Sequence, residues 1–348
     1  MKTQQIDGQD YRLPSSLNAF QQDMYVHLIN WKRQHVTREP GIGPRGLHYD
    51  AILPDSYADQ YPFVYPDVVD SLKQHRLSYP FRTHLYFNHM ASSQAANINL
   101  FLPLLQHANV NAILGRLKPD FARLATEKLD RGYQLEFWGD KPNGGHLNDK
   151  KKVSGTDADI AIAYYNHEGE LCLWLIEHKL TEDEFTDCGG YKSNQKHKNP
   201  RRDCRKSFAE LVADKHWCYY HDKCHFAYWD ITADNQAFFA NGAGFTGCPF
   251  RGGLNQLWRN QLLGLSIEQD TSQGYKHVTF SVVKHKGNIS LDKSLDRYRE
   301  LIAHNPKFSV FTSTDVIEAA GMCRDAELDK WIAWYRDLYN LQQKPDSN

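Results

Sequence analysis

Three residues carry the clearest chemical signal in the chain. Ile176-Glu177-His178-Lys179 closes an apolar run over 171–179, and Asp159 opens the preceding run, 18 positions before Glu177. Side chains alternate across a β-strand, so Glu177 and Lys179 share one face and His178 points to the other. If the two runs pair as a hairpin, Asp159 meets Glu177 at one end of a sheet. Two carboxylates converging there offer hard oxygen ligands to Mg2+ or Mn2+. A bound divalent ion activates water and stabilises charge at a phosphorus centre. A neighbouring ammonium orients the water and offsets charge that develops on phosphate. Phosphodiester hydrolysis needs that combination. Alone, a Glu and a Lys two apart on a strand commonly form an exposed pair worth ~0–1 kcal/mol. The apolar run, the Asp on the run before it and the hairpin geometry set this pair apart.

These residues require a sheet to hold them. DIAIAYY (159–165) and LCLWLIEHK (171–179) have strand composition, and Asn166-His167-Glu168-Gly169-Glu170 suits a hairpin turn. YQLEFW (133–138), HVTFSVVKH (277–285) and residues 308–311 predict further strands. Ser92-Ser93, then Gln94 and an apolar run to Leu105, predicts a capped helix. The span 109–131 predicts one or two helices with Leu114, Leu117, Phe121, Leu124 and Leu129 as the buried stripe. Helices are also predicted over 17–33, 254–265, 291–302, 314–320 and 327–341. Residues 141–154 read as exposed loop. A helix, three strands, a helix and another strand make an α/β core with a mixed central sheet. Residues 1–90 have weak periodicity and read as a loop-rich N-terminal extension; 91–345 form the domain that carries the site, including a Cys-rich basic segment over 181–250.

Composition narrows the classes. The 348 residues are 41% hydrophobic and 24% charged, which excludes wholesale disorder and collagen-like chains. Lys and Arg total 41 against 42 Asp and Glu, so a nucleic-acid footprint must be a local patch. One exists. Lys192, Lys196, Lys198, Arg201, Arg202, Arg205 and Lys206 face Asp203 alone, with His197 as an added donor. Such a patch suits salt-sensitive phosphate contacts without base specificity. The best apolar stretch, 98–105, is broken by Asn99 and Pro103, and the first residues lack an apolar signal core. Neither a membrane span nor a secretory signal is expected. Seven cysteines favour reduced thiols or metal ligation in a cytosol over a disulfide framework. Cys188, Cys204, Cys218 and Cys224 lie in polar surroundings and are the expected set for a structural ion or cluster, with Cys248, His216, His221 or His225 as substitutes in a zinc site. Their spacing does not match a CxxC zinc ribbon. No Walker-type loop, G-x-S-x-G elbow or H-E-x-x-H motif is present in the sequence.

The arrangement of Asp159, Glu177 and Lys179 resembles the PD-(D/E)XK nuclease superfamily, the restriction-endonuclease-like fold, and within it a bacterial subgroup. Ser92-Ser93-Gln94 with Asn99-Leu100-Phe101 resembles that subgroup's N-terminal helix, and Thr156 to Tyr164 (TDADIAIAY) its Asp strand. EHKLTE from Glu177 resembles its E-x-K motif, and Gln256-Leu257-Trp258-Arg259-Asn260 the Gln/Arg helix after the core. The likeness covers roughly residues 90–340. It departs at the proline of the superfamily name, since residue 158 is Ala. Asp157 competes with Asp159, which the apolar strand follows directly. The resemblance implies Mg2+-dependent cleavage of DNA. Asp159 and Glu177 would bind the ion, Glu136 would add a ligand, and Lys179 would position the water. Gln256 and Arg259, one helical turn apart, would both face the site, as would Gln94. Some nucleases of this superfamily carry an iron–sulfur cluster near the core, which sets a 4Fe-4S cluster beside Zn2+ as the occupant of the thiols. The resulting reading is a cytoplasmic Mg2+- or Mn2+-dependent deoxyribonuclease of DNA defence or processing, with a homodimer expected because double-strand cutters of this fold often pair. RNA stays open as a substrate. The rival reading is a non-catalytic DNA-binding or scaffold module organised by the thiols. The intact Asp159, Glu177 and Lys179 set disfavours it.

Overall fold

The computed structural model describes residues 2–341 except 44, 45, 58, 85, 86, 140, 152–154 and 197–201, and gives the backbone alone for 2 and 194–196. The expectations for Lys198 and Arg201, and for the side chain of Lys196, lie outside the described residues. Strands run in the order β1 (Lys2–Ile6), β2 (Gln9–Leu13), β3 (Gly41–Ile42), β4 (His48–Tyr49), β5 (Phe121–Leu124), β6 (Tyr133–Phe137), β7 (Ala158–Asn166), β8 (Leu171–Lys179), β9 (His277–Lys284) and β10 (Phe308–Thr312). Helices are α1 (Ala19–His35), α2 (Val69–Ser78), α3 (Ser93–Leu105), α4 (Val110–Leu117), α5 (Gly189–Lys196), α6 (Phe208–Ala213), α7 (Tyr219–Asp222), α8 (Tyr228–Asp234), α9 (Leu254–Gln269), α10 (Asp292–Leu301), α11 (Ser313–Gly321) and α12 (Ala326–Leu338).

An unbroken apolar strand is stable only with both faces covered. Accordingly β8 is the middle of a sheet ordered β10-β9-β8-β7-β5, with β6 also on β7. The β7–β8 pair is antiparallel, whereas β8–β9 and β9–β10 are parallel, so the sheet is mixed. Alternate residues of β8 feed two cores. Cys172, Trp174 and Ile176 pack with α1, α3, α11 and α12. Leu173 and Leu175 pack with α6, α8, α9 and α10. The odd-numbered face, which holds Glu177 and Lys179, therefore looks toward α9.

The hairpin between β7 and β8 is set by its turn. The Asn166 side-chain oxygen accepts the N–H groups of Glu168 at 3.1 Å and Glu170 at 2.8 Å, and Gly169 has φ +79°. Register then follows, with Ile160 opposite Ile176. Helix α3 begins as expected, with Ser92 accepting the N–H of Ala95 at 3.3 Å.

Two expectations are corrected. The span 109–131 is not helical throughout: α4 ends at Leu117, two residues before Pro119, and Phe121–Leu124 form β5 on β7. Leu129 lies beyond β5 at φ +52°. Residues 1–90 hold more than loops. Asp7 and Gly8, at φ 48° and 75°, turn the β1–β2 hairpin. Met24, Leu28, Phe63 and Tyr65 share one core with α3 and α12. Asn99 of α3 accepts the Tyr65 N–H and donates to the Phe63 carbonyl, both at 2.9 Å, and donates to the Tyr339 hydroxyl at 2.8 Å. Among the described residues, no helix is long and apolar enough to cross a membrane.

Candidate active site

Extending the β7–β8 register by one pair sets Asp159 opposite Glu177. The Asp159 carboxylate accepts the His178 N–H at 2.6 Å. Glu177 is 3% exposed, and burying a carboxyl group is costly unless its oxygens are hydrogen-bonded. Its Oε1 receives Lys179 Nζ at 2.8 Å and Gln256 Nε2 at 2.6 Å; its Oε2 receives Asn260 Nδ2 at 2.7 Å. Gln256 and Asn260 lie four residues apart on α9, one above the other on the face turned to the sheet. Gln256 Oε1 in turn accepts the Thr186 N–H at 3.2 Å.

Burial weakens the Lys179 ammonium, yet Glu177, Glu182 and Asp159 outweigh that and hold its pKa above the ordinary lysine value. Glu182 is the mirror case. Burial alone would raise it, but Lys179, a hydrogen bond from Ser93 and its own local N–H donors keep it low. Its Oε2 accepts from Leu180 at 2.8 Å and Thr181 at 3.1 Å.

The remaining acids are not so well matched. Burial, then Glu177 and Glu136, hold Asp159 well above the usual carboxylate range. Burial, then Asp157, push Glu136 up to about 8, against a hydrogen bond with Gln94. Burial raises Asp157 too, against Lys150 and with Glu177. Glu136 has φ +50° inside β6, where Leu135 pairs with Ile160 and Phe137 with Ala158. A left-handed non-glycine residue costs on the order of 1–3 kcal/mol and persists where its surroundings fix it. Here the kink delivers a carboxylate opposite Asp159.

Glu136, Asp157, Asp159, Glu177 and Lys179 line one cavity of about 540 Å³, together with Gln94 and Gln256. Sequence reasoning had Asp159, Glu177, Lys179, Glu136 and Gln256, and all five meet here. It missed Asn260, whose four-residue spacing from Gln256 was the available signal. It also missed the wall supplied by Gln21, Tyr25, His84 and His89. Arg259 does not line the cavity. Its Nη1 donates to Thr156 Oγ1 at 3.4 Å, and Tyr228, Tyr220 and Asp149 keep its pKa high despite burial. Asp149 also accepts from Thr156 and Tyr228, each at 2.6 Å, so Arg259 braces the approach to β7.

Three of the basic residues of the 188–248 segment expected to meet nucleic acid have acidic neighbours. Lys192 pairs with Asp187 at 3.0 Å, Arg202 with Asp222 at 2.6 Å and Arg205 with Asp203 at 2.8 Å. Of the thiols expected to form one set, Cys188, Cys204 and Cys218 are buried, whereas Cys224 is half-buried and faces Lys151, Arg202 and Lys223. His216 and His221 face Asp222 and Asp230. Among the described residues, the group of three or more His, Cys, Asp or Glu side chains with ligand atoms all within 4.8 Å is His107, Asp325 and Glu327 at the surface.

A mixed sheet whose hairpin ends in Asp159, Glu177 and Lys179 defines a restriction-endonuclease-like protein. The chain belongs to the family described as restriction endonuclease associating with ARP, whose model matches residues 26–340. No curated protein and no solved structure matches it.

Proposed function

We propose that the protein is a divalent-metal-dependent nuclease that hydrolyses phosphodiester bonds in DNA. The observation that carries this reading is one cavity lined by Glu136, Asp157, Asp159 and Glu177 together with the ammonium of Lys179. Acids raised by burial and by one another mark negative charge in excess of its compensation. A hard dication fits such a donor set. Asp159, Glu177 and Glu136 would hold Mg2+ or Mn2+, which when bound supplies Lewis acidity and water activation. Glu177 is pre-aimed by Gln256 and Asn260, whereas Asp159, Glu177 and Glu136 do not yet have ligand oxygens all within 4.8 Å of one another, so binding would draw the other two acids in. Lys179 stays cationic and sits where it can orient water and face a phosphate oxygen. Glu177 and Lys179 are themselves buried, which places these charges in a medium that strengthens them.

Lys192 and Arg205, with side chains 65% and 85% exposed, would exchange their acidic partners for phosphate, because exposed ion pairs are weak. Arg202, 12% exposed and stacked over Tyr219, holds the segment together. The family's description as a restriction endonuclease supports DNA as substrate and a role in restricting or processing it.

The test is incubation of plasmid and linear DNA with Mg2+ or Mn2+, then with chelator. Cleavage should require the metal and vanish in Lys179→Ala, while thermal stabilisation by Mg2+ should vanish in Asp159→Asn. Metal-independent DNA binding with no cleavage under either ion would favour the scaffold reading instead.

A further inference from the structure

The connection between β6 and β7 is anchored at the edge of the cleft. Leu147 is buried in the same core as Leu173 and Leu175, and its carbonyl accepts the Ala227 N–H at 2.9 Å. Asn148 Nδ2 donates to the His225 carbonyl at 2.7 Å, so 147–148 and 225–227 move as one surface. Trp138 follows Glu136 by two residues and Gly155 precedes Asp157 by two, and both acids line the cleft. A Cβ on Gly155, at φ +153°, would meet Lys150 Cδ at 2.9 Å. A Cβ on Gly145 would lie 3.3 Å from Lys150 Cβ and 3.5 Å from the Trp138 ring. These two glycines let Lys150 and Trp138 close on the rim. Two cation–ring pairs stand there. Lys150 Nζ lies 4.9 Å from the centroid of the half-buried Trp138 ring, and Lys151 Nζ 5.4 Å from that of half-buried Phe226. Lys192, Arg202 and Arg205 are each matched by an aspartate, whereas neither Lys150 nor Lys151 has a carboxylate partner among the described residues.

We propose that Trp138, Lys150, Lys151 and Phe226 form a dock for single-stranded DNA at the rim of the cleft. The proposal rests on the nuclease reading of that cleft and adds which form of the polymer is gripped beside it. A duplex offers a protein its phosphates and the edges of stacked bases; base faces are open only where a strand is unpaired. Ammonium groups alone would serve either form through phosphate. The rings are what select the single strand. A base stacked on an aromatic ring is worth more than an exposed ammonium over the same ring. A base would therefore displace Lys150 from Trp138, and the released ammonium would meet the adjoining phosphate. Lys151 and Phe226 repeat the exchange across the Asn148–His225 contact. A strand held this way passes the chain positions that lead directly to Glu136 and Asp157.

Fluorescence anisotropy of a labelled oligothymidine, and of a duplex of equal length, should be measured with the full chain in chelator. The single strand should bind about tenfold more tightly than the duplex. Trp138→Ala should weaken single-strand binding about tenfold and leave duplex binding unchanged, and Trp138→Phe, which keeps a ring, should restore it. Lys150→Ala and Lys151→Ala should each lower the salt slope for the single strand by about 0.7. Circular dichroism controls for folding, and the wild-type comparison and the lysine variants decide the matter if Trp138→Ala does not fold. Equal affinity for the two forms, binding of neither, or equal losses for both in Trp138→Ala would overturn the proposal. The outcomes separate from those of the nuclease reading. Metal-dependent cleavage without single-strand preference would uphold that reading and overturn this one, and selective single-strand binding without cleavage would do the reverse.

Discussion

Glu177 in the cleft is bound by Gln256 and Asn260, 79 and 83 residues further along the chain, whereas Arg205 in the 188–248 segment is bound by Asp203, two residues away. The first contact exists only because a sheet and a helix have assembled. The second needs nothing but a local turn. Long-range pairing fixes a charge in a dry, shaped place; short-range pairing leaves it wet and exchangeable. A run of basic residues in a sequence is therefore a poor guide to free positive charge, while one Glu at a strand end can be a precise one.

The sharpest test of that contrast is Lys179→Ala. A buried cation fixed by tertiary structure should cost on the order of 10²–10³-fold in cleavage rate with DNA affinity little changed. Next comes Asn260→Ala, which strips one donor from Glu177 without touching the cavity lining. Metal affinity, read by calorimetry, should fall about 10–100-fold, and Arg259→Ala, one position earlier, should leave it intact. Equal losses in both would collapse the distinction between orienting Glu177 and bracing α9.

Acid sensitivity probes a third way of handling charge. His285 is pushed down to about 4 by burial; it donates through Nε2 to the Tyr339 carbonyl at 2.9 Å and accepts the Gly287 N–H at Nδ1 at 3.0 Å. It is held neutral, and a second ring proton would face that N–H. Its folded pKa lies below the unfolded value of 6.5, so its stabilisation is full above pH 6.5 and is lost as pH falls toward 4. The loss is at most about 3 kcal/mol. Urea titrations across that window should show it, and His285→Gln should flatten it. The smallest effect belongs to the exchangeable pairs: Arg205→Ala should reduce the salt slope of DNA binding by about 0.9, and Arg202→Ala should not change it.

The β7–β8 hairpin was legible because both strands are apolar runs around Asn166 and Gly169. Their ends announce where acids and an ammonium converge. The Asp7-Gly8 turn signal was equally plain but heads a segment with weak periodicity. Pro119 was the mark against one long helix over 109–131. Asn260 in place of Arg259 turns on one residue of helical phase, which propensity does not resolve. The approach of Cys248 to Cys204 was hidden because 44 residues separate them and the backbone hydrogen bond that joins them has no local signature. The same holds for Gln21, Tyr25, His84 and His89, whose place beside the carboxylates depends on tertiary packing.

That last wall has a consequence of its own. Four side chains from the first ninety residues line the cavity that holds the acids, so the N-terminal part contributes to the local permittivity of the cleft. A substitution there would retune the proton affinity of Glu136 and Asp159 while leaving both carboxyl groups in place.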